Sequence, residues 1–347
     1  MNKIIIPIGY MGSGSSAITD FMREFDGCHV ADTNFEYVFL HCPNGVFDLE
    51  DKLLVGNNAV RSDEAIHSFE NMMYQLYYRK FWWVGNYKKN LGADFKTITD
   101  EYINEIVQFI PRDYWYMQER LNFPRFLWMG MRAVLRKLSG GKIQIRRPLE
   151  YRPMRISLLR PEEFYTASKK FIERIITLMG REGSHLVLDQ LLLPHNLWRV
   201  PKYFGEEAEC FVVDRDPRDV YLLNKYVWPK ESGQLPYPAQ ADEFCDYYLR
   251  LREMERETDC PQVHRIRFED FVYQYEKTAD RIMETVGLLP EQHARKRMYF
   301  DPDRSVFNTQ LFLDEKYRDE IQIIEKKLGK YLYDFPYKID LDYSKMF

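Results

Sequence analysis

The sequence predicts an α/β fold, with a mostly parallel central sheet flanked by helices and a helical, aromatic-rich insertion over 62–160. Three observations carry this. Short apolar runs at Ile4-Ile5-Ile6, Leu186-Val187-Leu188 and Phe211-Val212-Val213 read as buried strands. Each is followed by a segment of helical pattern, and strands alternating with helices make a parallel sheet. The chain has 347 residues and 45% apolar content, enough for one large core, and it reads as a single domain over 1–347.

In order, a strand at 3–8 stops at Gly9 and a helix is expected over 14–25. A short strand follows near 28–31, then a loop and helix region to about 60. Residues 62–137 read as helical, with Ser62-Asp63-Glu64 as the start, because a serine oxygen can accept from the open N–H groups of a first turn. This stretch carries Tyr74, Tyr77, Tyr78, Phe81, Trp82, Trp83, Tyr87, Tyr114, Trp115, Tyr116 and Trp128. Those rings are either the core of a helical insertion or a cap that stacks on the apolar faces of sugars. Gly and Pro punctuate 139–160, which reads as loop. Pro161 opens a helix to 180, since its missing N–H is not needed in a first turn and Glu162 and Glu163 suit the helix dipole there. Strands at 185–190, 209–214 and 263–268 alternate with helices at 194–204, 217–227, 241–257 and 271–286, and further helices are expected near 290–297 and 313–329.

The net charge of −4 gives no global attraction to nucleic acid. From Met131 to Arg160, however, nine Lys or Arg face one acid, Glu150. Such a run meets an anionic acceptor or a membrane surface, or is a solvated stretch balanced by acids in space. The five cysteines, Cys28, Cys42, Cys210, Cys245 and Cys260, form no C-x-x-C or Cys/His metal pattern and read as free thiols of a reducing compartment. No apolar run reaches 18 residues, so no transmembrane helix is expected, and the first strand begins too early for a signal peptide. A cytoplasmic chain is the expectation.

Chemistry concentrates where the first strand ends. Gly9-x-x-x-x-Gly14-x-Ser16 fits the P-loop frame, in which glycines let backbone N–H groups converge on an anion and the helix N-terminus adds its dipole. The alternative is an ordinary strand-to-helix turn. Ser15 stands where a nucleoside-triphosphate P-loop has its lysine, so a different phosphorylated donor is expected. A second strand ends in Arg215-Asp216-Pro217-Arg218-Asp219-Val220 and runs into a helix.

Together these motifs resemble the sulfotransferases that use 3′-phosphoadenosine 5′-phosphosulfate (PAPS). That family binds the 5′-phosphosulfate with an S-G-T-T or S-G-S-T loop, here Ser13-Gly14-Ser15-Ser16, and the 3′-phosphate with the Arg of an R-[ND]-P motif, here Arg215. Residues 264–287 resemble its strand, Y/F-E-D-L and helix run, and 300–309 its S-x-x-N loop, with Arg304 and Asn308 at the nucleotide. The resemblance covers about half of the chain. Two positions depart from it: Gly12 replaces the usual Lys or Arg before the loop, and Leu223 replaces a phosphate-binding Ser, with Asn224 beside it as the substitute donor. The resemblance implies PAPS as donor substrate, no metal, and a hydroxyl acceptor, taken here as a carbohydrate.

Sulfuryl transfer needs a group to take the acceptor proton and cations to hold the leaving phosphate. The catalytic candidates are Glu36, as base, and Asp189, at the end of the strand 185–190; His41 and His195 rank lower. Arg61, Arg199, Arg218 and Arg304 are candidate helper cations. Two other readings stay open: a P-loop nucleotide kinase-like enzyme, favoured by Asp189 but not by Ser15, and a catalytically inactive binding protein on the same fold.

Overall fold

The structure is a computed structural model and describes residues 2–30, 36–81, 84–113, 123–143, 152–180, 183–229 and 235–346. Five strands make the central sheet: β1 (Ile4–Gly9), β2 (Cys28–Val30), β3 (His185–Val187), β4 (Ala208–Asp214) and β5 (Val263–Arg267). Their spatial order is β2-β3-β1-β4-β5, and every pairing is parallel. β1 and β4 pair in register from Ile4↔Ala208 to Gly9↔Val213, which brings the glycine loop and the Arg215 turn to the same sheet edge.

β3 is shorter than the run 185–190 predicts. Leu188 and Gln190 still donate to the carbonyls of Ile5 and Pro7, at 2.9 and 3.0 Å. Pro7 has no N–H to return, so the ladder closes after Val187. The freed residues 188–190 turn out at the sheet edge, with Gln190 at φ +54°.

Both sheet faces are covered, as a parallel sheet requires. On one face Ile6, Ile8, Leu188 and Val212 pack with the helices α2 (Val46–Leu54), α3 (Ala59–Tyr78), α5 (Asp94–Ile106) and α7 (Pro161–Met179), α4 being the short turn Tyr87–Leu91. On the other, Ile5, Val187, Phe211 and Ile266 meet Phe21 of α1 (Ser16–Arg23) and residues of the later segments Phe268–Tyr273 and Tyr275–Val286. A third apolar cluster joins Val220 and Leu222, Phe244 and Tyr248, and Ile321 and Ile324.

The region 62–137 is not one helical stretch. α3 begins at Ala59, capped by Asn58, whose side chain accepts from Arg61 N at 3.0 Å. Ser62 is no cap: it is fully buried inside the helix, donating to Ser157 O (3.1 Å) and accepting from Ser157 N (2.7 Å). Two-residue strands interrupt the helices at Lys80–Phe81 with Val84–Gly85, and Arg112–Asp113 pairs with Arg152–Pro153. α6 (Phe123–Leu138) lies between the last two. Tyr77 and Tyr87 are core residues, and Tyr87 meets Phe95 edge-on at 4.8 Å. Trp82, Trp83, Tyr114, Trp115, Tyr116, Arg146, Arg147 and Glu150 lie outside the described residues.

Toward the C-terminus the helix predicted near 290–297 is one 3₁₀ turn, Pro290–Gln292. That predicted at 313–329 starts at Arg318. The segment 217–227 is helical throughout, but it is α only to Leu222 and widens to a π turn over Leu223–Val227.

Candidate functional site

At the carboxyl edge of the sheet lies a cavity of about 800 Å³. Gly9, Tyr10, Gly12, Gly14, Ser15 and Ser16 supply one wall, Asp20, Glu36, Asp189 and Gln190 a second, and Arg215, Trp228 and Phe268 a third. The segment from Arg297 to Asn308 completes it through Arg297, Tyr299, Asp301, Arg304 and Asn308. A parallel sheet offers ligands this edge because loops leave all its strands there.

The glycine loop is a built turn. Gly9 leaves β1 so close to the returning chain that a Cβ there would sit 2.1 Å from Ser13 Oγ. Gly14, at φ +89°, aims its missing Cβ not at the cavity but at the Phe268 ring, 2.7 Å away. A side chain at Gly14 therefore strains the backbone and pushes on the core, rather than filling the space of a phosphate. Ser13 is buried and lies behind the lining. Ser15 precedes α1, whose first turn holds no acid. Its hydroxyl accepts from Gln190 Nε2 at 2.8 Å, while the Gln190 carbonyl meets His41 Nε2 at 2.9 Å. The residue in the lysine position is thus tied to the end of β3. Tyr237 Oη donates to Met11 O at 3.0 Å and fixes the outer bend of the loop.

Arg215 follows β4 and is buried, 4% exposed. Its guanidinium donates to Gly12 O (3.3 Å) and to Asn308 O, and lies 4.4 Å over the Phe268 ring. Nε has no hydrogen-bond partner, and among the described residues no carboxylate stands within ion-pair distance. Burial pulls its pKa below the ordinary arginine value, with Asp219, Glu269 and Asp216 opposing. A buried cation at a cavity wall, held by carbonyls and with no carboxylate paired to it among the described residues, calls for an anion. Asp219, fully buried, accepts from Gln310 N and Leu311 N at 2.8 Å each and so holds the end of the Asn308 segment against the Arg215 turn.

The acidic wall behaves differently. Asp189 is half-buried, its Oδ1 is closed off from solvent with no hydrogen-bond partner, and its pKa is pushed up to about 7, first by burial and then by the negative charge of Glu36. Asp20 is raised chiefly by burial, and Arg23, at 3.2 Å, opposes this. The cavity therefore has a cationic side, with Arg215 and Arg304, and a side lined by Glu36, Asp189 and Asp20.

Of the sequence-predicted residues, Gly12, Gly14, Ser15, Ser16, Glu36, Asp189, Arg215, Arg304 and Asn308 all line this one cavity. The Arg304 side chain is exposed and makes no hydrogen bond or ion pair among the described residues. Asn224 does not line it: buried in the π turn, its amide donates to Val220 O at 2.8 Å and points at the back of the loop. Arg218 is bound to Asp216 and Glu325 (2.8 Å each) and stacked on Phe312, and Arg199 is held by Glu50 and Asp51. Arg61 donates to Lys52 O, and His195 meets Leu251 O. None of these four reaches the cavity wall. Nor do Tyr74, Tyr77, Tyr78, Phe81, Tyr87 or Trp128.

Sequence reasoning missed Tyr10, Trp228, Phe268, Arg297 and Tyr299. Arg297 and Tyr299 arrive through Glu24. This carboxylate, fully buried at the end of α1, accepts from Arg297 N (3.0 Å), Tyr299 N and Phe300 N (2.9 Å each) and pairs with His293 Nε2 at 2.7 Å. Four contacts across more than 260 residues leave no local sequence signal.

No group of three or more His, Cys, Asp or Glu placed to hold a metal ion occurs among the described residues. No protein-family model matches the chain, and no curated protein does. Among solved structures, the chain is similar to the sulfotransferase domain of an olefin synthase from Synechococcus PCC 7002, at 11% identity over 96% of both chains with a TM-score of 0.39. It is also similar to the sulfotransferase domain from the curacin biosynthetic pathway, at 13% identity over 97% of this chain and 99% of that one with a TM-score of 0.38. A third is the sulfotransferase STF9 from Mycobacterium avium, at 12% identity over 97% of this chain and 78% of that one with a TM-score of 0.34.

Proposed function

We propose that the protein transfers a sulfuryl group from PAPS to a hydroxyl of an acceptor, with a saccharide as the favoured acceptor class. The observation that carries this reading is the convergence of two anion-seeking features on one cavity: the Gly12–Ser16 loop at the head of α1, and the buried, unneutralised Arg215. A donor with phosphates at both its 5′ and 3′ positions matches two such features; a nucleoside triphosphate, with one phosphate chain, uses only the first. The loop and α1 would hold the 5′-phosphosulfate, and Arg215 the 3′-phosphate. Arg304, exposed at the cavity and without a side-chain partner among the described residues, is the cation to take the place of the Lys or Arg that Gly12 replaces.

On the acidic side, Glu36 takes the proton as the acceptor oxygen attacks sulfur and the bond from sulfur to the phosphate oxygen breaks. Asp189, protonated or shared at neutral pH, orients the hydroxyl. Tyr10, Trp228 and Tyr299 line the cavity and are the aromatic side chains an acceptor would meet. Incubation with sulfur-labelled PAPS and panels of saccharide, phenol and lipid hydroxyls tests this. Label should pass to a saccharide, and Glu36→Gln should lower turnover by about 10²–10⁴-fold with binding of the desulfated product (PAP) unchanged. Asp189→Asn should cost less. Full turnover in Glu36→Gln with inactive Asp189→Asn would move the base to the end of β3.

A further inference from the structure

The segment least explained by the cavity is α6, Phe123–Leu138. Eight large apolar side chains of this 16-residue helix are exposed, among them Phe126 (65%), Leu127 (51%), Met131 (57%), Val134 (56%) and Leu138 (80%). At the helical turn of about 100° per residue, Leu127, Met131, Val134 and Leu138 fall within about 60° of arc, and Arg132 and Arg136 lie on the far side. Residues 123–143 hold five Lys or Arg and no Asp or Glu. Phe109 and Ile110, where the chain leaves the helical layer toward α6, are exposed as well (55% and 65%).

A soluble surface rarely leaves so continuous an apolar face in water. Its occupant has to supply hydrocarbon along one side and negative charge along the other. An anionic phospholipid surface does both at once: acyl chains meet the leucine and methionine face, and the arginines on the opposite side reach outward to the phosphates above it. A second copy of this chain fits less well, because a symmetric pairing sets one acid-free cationic helix against another. No helix among the described residues is long and apolar enough to cross a membrane, so α6 would lie in the interface plane.

We propose that α6 docks the protein on membranes rich in anionic phospholipid. Such docking does not depend on which nucleotide fills the cavity.

Co-sedimentation of the full chain with vesicles tests it. Vesicles of phosphatidylcholine with phosphatidylserine should bind the protein at least about tenfold more strongly than phosphatidylcholine alone, and high salt should remove that preference. The double variants Arg132→Glu/Arg136→Glu and Leu127→Glu/Val134→Glu should each lose about tenfold or more in vesicle binding. Leu127→Glu/Val134→Glu should keep the wild-type melting temperature, since both side chains are exposed, and the half-buried Arg132 makes the single variant Arg136→Glu the control for the charge. Equal binding to neutral and anionic vesicles overturns the proposal. So does an absence of vesicle binding, including the case where sedimentation velocity shows a dimer that Leu127→Glu/Val134→Glu dissolves. Should either variant fail to fold, the salt dependence of the wild-type protein decides.

Discussion

Asp189 is held at a cost to the fold. Its carboxyl is raised from an ordinary value of 3.8 to about 7, so the folded chain binds a proton there that the unfolded chain has released. The sign follows from linkage: its contribution is most favourable below pH 4, falls as pH rises from about 4 to 7, and is lost above that. Asp189→Asn removes the titration. The variant should therefore be more stable than wild type at pH 8, by about 1–3 kcal/mol, and gain less than half as much at pH 5, as read by thermal or urea unfolding at the two pH values. Glu269, buried and also raised to about 7, adds a background slope of the same sign that the comparison at fixed pH cancels. Equal effects of Asp189→Asn at the two pH values would mean that the carboxyl is not perturbed. At this scale the site was legible in part. Arg215 announces itself because a charged residue ends an apolar strand, whereas Asn224 misled: its sequence position suggested a ligand donor, and the π turn instead buries its amide against Val220.

The segment 293–308 is the element whose placement matters most, and Glu24 sets it. Three backbone N–H donors and one imidazole converge on a single fully buried carboxylate. Charge-assisted hydrogen bonds of this sort contribute about 1.5–3 kcal/mol each where the group is buried, and they are not additive. Glu24→Gln replaces an acceptor-only group by one with an N–H₂ that faces donors. It should destabilise the protein by about 2–4 kcal/mol and speed amide exchange over 293–300 more than in β1 or β4. PAP affinity should fall as Arg297, Arg304 and Asn308 lose their placement. Uniform exchange across the chain, or unchanged affinity, would remove Glu24 from this role. The strands and the long helices were legible because a buried parallel strand is a local apolar run and α7 begins at its proline. What escaped was set by distant or missing donors: Pro7 closes β3 early, Asn58 rather than Ser62 caps α3, and Glu24 unwinds 293–300 from the helix that its sequence suggests.

At the scale of the whole molecule, a parallel five-stranded sheet brings the ends of β1, β3, β4 and β5 to one edge, and each end contributes to one cavity: the glycine loop, Asp189, Arg215 and Phe268. The helical layer built from α2, α3, α5 and α7 covers one face of the sheet, and α6, with its exposed apolar face, stands between α5 and α7 in the chain. The division is functional in the proposed reading, with donor recognition at the sheet edge and surface recognition on the excursion. Its central claim is that the cavity recognises a nucleotide with phosphates at two ends. Titration calorimetry with PAP and with AMP, which lacks only the 3′-phosphate, tests this most directly. The wild-type protein should bind PAP at least about tenfold more tightly than AMP, and Arg215→Met should erase that difference while leaving AMP binding in place. Equal affinities for PAP and AMP in the wild-type protein would contradict the reading.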